Sequence, residues 1–253
     1  MKDDISLAQW SLIDEFRAGK WKTLDFPRLA REDFNLSGVE FVNTLFEVPT
    51  ETYLKELRRN ADDHDITPVL IMVDDEGDGC SANKQGRKEF VTFHQKWVDI
   101  AHYLGCHAIR TNCRGPHPVD PIDALDWASE AYAKLLEYAK PAGIKILIEN
   151  HGGVSNDPDF MVRLMKAIDD PFFGTYPDWR EPAKDFDNFT YLEKTLPYAK
   201  GMSYRNQPDD KLTLRMINLC KTIGFHGWYG IESDGRPAIK KAIQLLKTHA
   251  LAK

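Results

Sequence analysis

Three carboxylates stand at matching places along the chain. Glu149 lies in Ile148-Glu149-Asn150-His151-Gly152-Gly153, Asp178 ends Thr175-Tyr176-Pro177-Asp178, and Glu232 lies in Ile231-Glu232-Ser233-Asp234-Gly235. Glu149 and Asp178 are 29 residues apart and Asp178 and Glu232 are 54, close to one and two lengths of a common unit. Like charges gathered at one place repel unless a cation or a shared proton relieves them. Hard oxygen donors suit Mg2+ or Mn2+ best, with Zn2+ or Co2+ as further divalent choices. A cation so held binds a carbonyl and its neighbouring hydroxyl, and stabilises the enediolate left when an α-proton departs. One carboxylate can remove that proton and another can return it. This is chemistry suited to isomerisation or epimerisation.

Each carboxylate also has a plainer explanation, as a solvated loop residue or a helix cap. Glu149 has the stronger claim, because the apolar run before it argues for burial, which is costly for a lone charge. His151 reads as a substrate-contacting donor or as a hydrogen-bonded structural residue. His226, His94 and His102 read as structural.

The elements that would position these residues alternate. Short β-like runs at 6–10, 38–43, 68–74, 107–112, 145–150, 173–177, 201–205 and 228–233 are separated by helical patterns. Centred on Ile146, Gly174, Met202 and Gly230, the last four runs recur every 28 residues. Phe90, Phe93, Trp97, Ile100, Ala101 and Leu104 draw one apolar stripe, and Leu125, Ala128, Ala131, Tyr132, Leu135 and Ala139 draw the next. Asp120-Pro121 and Asp157-Pro158 predict helix starts, and Gly105, Gly143 and Gly224 predict helix ends. The first run continues into Trp10-Ser11-Leu12-Ile13 without a glycine-rich phosphate loop, which argues against an open doubly wound sheet. The expectation is a (β/α)8 barrel, one domain over residues 1–253, with its site where strands end and loops begin.

Composition narrows the classes further. The chain carries 39 acidic against 33 basic residues, a formal charge of −6, and no basic stripe, so nucleic acid is not an expected partner. Cys80, Cys106, Cys113 and Cys220 make no CxxC pair and read as free thiols. The longest apolar run, at 69–73, is too short to span a bilayer, and the N-terminal residues show no cleavage signal, so a cytoplasmic location away from membranes is expected.

The three carboxylate segments together resemble the sugar phosphate isomerase/epimerase family with the xylose-isomerase-like barrel. The likeness extends through Lys96-Trp97-Val98-Asp99-Ile100-Ala101, Leu104-Gly105-Cys106-His107-Ala108-Ile109-Arg110 and Pro197-Tyr198-Ala199-Lys200-Gly201, in order along most of the chain. The resemblance implies a divalent-metal site and a sugar or related polyol as substrate. By position Glu149, Asp178 and Glu232 match the family's carboxylate ligands, and Glu149 and Glu232 match the acid/base pair of its epimerases. Arg110 and Asn112, at the end of the fourth run, resemble a substrate-facing pair.

Two departures stand out. Many relatives carry a histidine ligand on the seventh strand, where this chain has Met202-Ser203-Tyr204-Arg205. Relatives with this chain's overall pattern tend to carry lysine where Arg205 stands, and Phe-Gly-Asn where this chain has Trp179-Arg180-Glu181. A guanidinium does not ligate metals but binds oxyanions in a planar fork. Ser203 or water is therefore expected to complete the shell, and Arg205 to join Arg110, Asn112 and His151 in binding substrate. The leading expectation is a metal-dependent sugar, sugar phosphate or polyol isomerase or epimerase. A lyase or dehydratase on a keto-sugar shares its first step, and a non-catalytic sugar-binding barrel is prompted by the departures. The barrel endonuclease of abasic DNA is set aside, since few of the 8 histidines fall at strand ends and the net charge has the wrong sign.

Overall fold

The computed structural model describes residues 4–180 and 186–251; Glu181 and the first three residues lie outside them. Eight strands form one parallel sheet: β1 (Asp4–Ala8), β2 (Gly38–Val42), β3 (Thr67–Met72), β4 (Ala108–Thr111), β5 (Lys145–Ile148), β6 (Phe173–Thr175), β7 (Met202–Tyr204) and β8 (Trp228–Ile231). Their order is β6-β5-β4-β3-β2-β1-β8-β7, so neighbours in space are neighbours in sequence and β8 returns to β1. The seam between β6 and β7 is joined by two single parallel bridges, Thr175 to Ala199 and Asp178 to Ser203. The result is a nearly closed barrel, as the alternating pattern predicted.

The helices that follow the strands are α1 (Ile13–Arg17) and α2 (Phe26–Phe34), α3 (Glu51–Asp63), α4 (Lys84–Leu104), α5 (Pro121–Ala139), α6 (Pro158–Ile168), α7 (Asn188–Thr195), α8 (Asp210–Ile223) and α9 (Gly235–Leu245). The expected N-caps form, and Gly105 and Gly224 end α4 and α8 as left-handed residues, but α5 closes at Lys140, so Gly143 lies in the turn beyond it. Asp120 accepts from Ile122 N at 2.7 Å and Asp157 from Asp159 N at 2.8 Å, satisfying amides that have no partner inside the helix. Phe90, Trp97, Ala101 and Leu104 of α4 are buried as the stripe required, whereas Phe93 is 42% exposed and falls off it. All four cysteines are free and buried. Among the described residues no helix is long and apolar enough to cross a membrane.

The observed strands are shorter than the sequence suggested at their C-terminal ends, and β1 begins earlier, at Asp4. The expected run at 6–10 was displaced because Gln9 and Trp10 enter a tight 3-10 turn rather than extended chain. Side chains two apart on a strand share a face. Ser6, Glu40 and Tyr176 turn into the barrel, where Glu40 accepts from Ser6 Oγ at 2.8 Å and from the Tyr176 hydroxyl. Alternation then sends Phe41 outward, where it packs on Phe46 with centroids 5.8 Å apart, and Phe46 packs on Trp97 of α4 at 5.5 Å. The apolar core therefore lies between sheet and helices, while the barrel interior carries polar side chains up to its mouth.

Candidate active site

The same period of two aims the mouth residues. Asn112 follows Arg110, Asp178 follows Tyr176, Arg205 follows Ser203 and Glu232 follows Gly230, each two positions along the strand direction. Backbone ladders hold these positions beyond the strand ends. Ser203 N donates to Pro177 O at 3.0 Å, Trp179 N to Ser203 O at 2.9 Å and Glu232 N to Tyr204 O at 2.9 Å. Asn150 extends the ladder with its side chain: Asp178 N donates to its Oδ1 at 2.7 Å, and its Nδ2 donates to Asp178 O at 3.0 Å.

Two guanidinium groups organise the acids. Arg205 Nε donates to Asp178 Oδ1 at 2.7 Å while its Nη2 donates to Glu232. Ser203 Oγ lies between the same two carboxylates, 3.3 Å from Asp178 Oδ1 and 2.9 Å from Glu232 Oε2. Arg110, which is 2% exposed, donates from Nη1 to Asp74 Oδ1 at 2.7 Å. Its Nε stands 2.7 Å from Glu149 Oε2, close enough for an ion pair but without the alignment of a hydrogen bond. Asn112 Nδ2 also donates to Asp74, at 2.9 Å, and Asn112 Oδ1 lies 3.1 Å from His151 Nδ1. Arg114 Nη2 lies 2.9 Å from the same Nδ1, and Arg114 Nε donates to the His151 carbonyl oxygen at 3.0 Å.

A cavity of about 520 Å³ opens over Asp178, Arg205 and Glu232, and a second of about 330 Å³ opens over Asp74, Arg110 and Glu149. His151 and Glu232 line both. All the residues assigned to the site from sequence thus gather at one mouth. Asp74 and Arg114 belong to it as well and were not singled out. Asp74 ends the most apolar run of the chain, at 69–73, and that position was the available signal.

The electrostatics of the two sides differ. Burial pushes Glu149 up to about 8, against the pull of Arg110, and the neighbouring Asp178 and Glu232 add to the rise. Burial also lifts Asp178, to about 6, with Arg205 opposing. At Asp74 burial works against ionisation, but Arg110 and Asn112 outweigh it and hold the carboxyl below its usual range. His151 falls to about 4 through burial and then through Arg110 and Arg114, so its ring is neutral near pH 7.

The donor types present suit a hard divalent ion, since Glu149, Asp178, Glu232 and Ser203 all offer oxygen. Their arrangement does not. Arg205 holds two of the three carboxylates and Arg110 faces the third. An ion about 2.0–2.6 Å from those oxygens would lie within about 5 Å of a guanidinium nitrogen, since the oxygens are themselves 2.7 Å from one. At an effective dielectric of 20 that is roughly 7 kcal/mol of repulsion. Among the described residues no three His, Cys, Asp or Glu side chains are grouped to hold a metal. The carboxylates assigned to a metal from the sequence are, in this structure, partners of arginine.

Comparison with known proteins agrees with the architecture. No curated protein sequence matches this chain. A D-tagatose 3-epimerase-like protein superposes with a TM-score of 0.77 at 17% identity, covering 98% of this chain and 97% of its own. A D-psicose 3-epimerase solved in the presence of D-fructose gives 0.74 at 12% identity and covers 100% of both chains. A xylose isomerase-like TIM barrel protein from Mycobacterium smegmatis, solved in complex with magnesium, gives 0.72 at 17% identity over 98% of both chains. At these identities the likeness is one of fold. Residues 28–196 match the sequence profile of the xylose isomerase-like TIM barrels, and the chain belongs to that family.

Proposed function

We propose that this protein is a sugar isomerase or epimerase that works by moving a proton on carbon next to a carbonyl. The observation that carries the reading is the pair of glutamates, Glu149 and Glu232, that line one mouth in unlike environments. Burial holds Glu149 up to about 8, so near pH 7 it carries a proton to give. Glu232 instead receives hydrogen bonds from Ser203 Oγ and from Arg205. Two carboxyl groups set in unlike surroundings are the arrangement acid/base chemistry needs.

The roles follow from position. Glu232 takes the α-proton and Glu149 returns one, from the ends of strands β8 and β5; in the reverse direction the roles exchange. Negative charge developing on the substrate oxygens is met by N–H groups of Arg205 and Arg110 and by the Asn112 amide. His151, neutral and fixed by Arg114 and Asn112, orients a hydroxyl. The family and the epimerases that share the fold support a sugar or polyol as the substrate.

The test is proton exchange. Ketoses and aldoses, free and phosphorylated, are incubated with the protein in deuterated water and followed by NMR and mass spectrometry. Deuterium incorporated at the carbon beside the carbonyl, with mass otherwise conserved, is the expected result. Loss of water would instead identify a lyase, and tight binding of a sugar with neither exchange nor product would identify a binding protein.

A further inference from the structure

We infer that Arg205 is the resident cation of this mouth, its guanidinium standing between Asp178 and Glu232 where a divalent ion would have to bind. The inference goes beyond the proposed reaction, because it concerns what supplies positive charge whichever sugar is turned over.

Three observations carry it. The contact is forked, with Nε on Asp178 at 2.7 Å and Nη2 on Glu232, the planar geometry in which guanidinium meets oxygen acids best. It is also built into the barrel. The backbone ladder that fixes Asp178 runs through Ser203, and the one that fixes Glu232 runs through Tyr204, so the strand end bearing Arg205 positions both of its partners. Finally, the guanidinium is layered between acids and cavity. The Arg205 side chain is 29% exposed, against 7% for Asp178 and 10% for Glu232. Nη1 makes no hydrogen bond among the described residues, and Arg205 lines the larger cavity. It can therefore donate to a substrate oxygen while Nε and Nη2 stay engaged.

An arginine in this place gives the mouth a charge that is permanent at any working pH and that no chelator removes. It differs from a metal in kind: it offers directed N–H donors rather than an open coordination position. Ser203 fits the same scheme, since its hydroxyl reaches the Asp178 oxygen that the fork also holds and the second oxygen of Glu232.

The experiment reads metal binding, so it stands or falls separately from the identity of the reaction. Mn2+ is titrated into chelator-treated full-length protein, and the free ion is followed by electron paramagnetic resonance. Wild type is expected to leave the free-ion signal undiminished. Arg205→Ala and Arg205→His are expected to take up Mn2+ at least about tenfold more tightly, because the repelling charge is gone, and adding Asp178→Asn to either is expected to abolish uptake. Stoichiometric uptake by wild type that disappears in Asp178→Asn would overturn the inference. So would folded Arg205 variants that bind no more Mn2+ than wild type, since the carboxylates would then not be a cation site at all. If neither variant shows a native circular dichroism spectrum, the Nε–H proton resonance of Arg205 in wild type decides. Its persistence under Mn2+ supports the inference, and paramagnetic broadening overturns it.

Discussion

Glu40 on β2 and Gly230 on β8 are fitted to each other across the barrel interior: a Cβ at position 230 would lie 2.5 Å from the Glu40 carboxyl carbon. The missing side chain of one residue is the space occupied by the other. Gly230→Ala is therefore expected to destabilise the protein by about 1–3 kcal/mol, the range for overfilling a packed interior. Urea unfolding of Gly230→Ala, Glu40→Ala and the double variant checks it. The double variant should lose less than the sum of the singles, and strict additivity would separate the two residues.

The same carboxyl makes stability depend on pH. Glu40 is fully buried, and burial lifts it from the ordinary 4.5 to about 7 despite hydrogen bonds from Tyr176 and Ser6. An acid whose folded value is raised holds a proton that the unfolded chain has already released. Its contribution is complete below about 4.5 and is lost as pH rises through about 7, at roughly 1.4 kcal/mol per unit and so up to about 3 kcal/mol in all. Unfolding free energy measured from pH 4.5 to 8 should fall more steeply for wild type than for Glu40→Gln, which cannot titrate. Parallel profiles for the two proteins would contradict this.

Arg110 is expected to be the most sensitive charged residue for folding. It is 2% exposed and faces two carboxylates, Asp74 and Glu149. Arg110→Met removes the cation and leaves the ionised Asp74 buried with only the Asn112 amide for a partner, a loss of about 3–5 kcal/mol. Adding Asp74→Asn should restore part of it. Thermal melts of both variants measure the effect, and a melt of Arg110→Met within error of wild type would show that the pair contributes nothing to stability.

Glu149→Gln and Glu232→Gln should leave the fold nearly intact and lower kcat/KM by about 10²–10⁴-fold once a substrate is in hand, the usual share of an acid or base. They differ in a second readout. Gln at 149 imitates the proton-bearing form and so should scarcely change substrate affinity. Gln at 232 withdraws an acceptor from Arg205 and Ser203 and should alter KM as well. Identical changes in kcat and KM for the two variants would remove the distinction drawn between them.

The barrel and the place of its mouth were legible in the sequence because both rest on period. A repeat of 28 residues set the later strands, and the chemistry-bearing types stood at the end of each. What the sequence concealed was pairing. Nothing in the string shows that Tyr176 reaches Glu40, 136 positions away, or that Arg110 turns to Asp74 as well as to Glu149. Arg205 was legible as a departure and as a mouth residue. That its fork would close on Asp178 and Glu232 depends on the ladder through Ser203, a relation between strands that no local pattern records. Phe93 misled for the opposite reason: its spacing fits the stripe of α4, but the surface it would cover is solvent.

The seam between β6 and β7 is stitched by two single bridges, Thr175 to Ala199 and, at the mouth, Asp178 to Ser203, rather than by a full run of paired residues. Breathing of the barrel should start there, and since the second bridge is also part of the mouth, each opening disperses the acids and the arginine together. Amide protons of Trp179 and Ser203 should then exchange with solvent sooner than those of β2 and β3, on the opposite wall. A sugar that bridges Arg205 and Glu149 would draw the two lips closed and slow that exchange, so the rate of a single amide becomes a gauge of whether the mouth is filled.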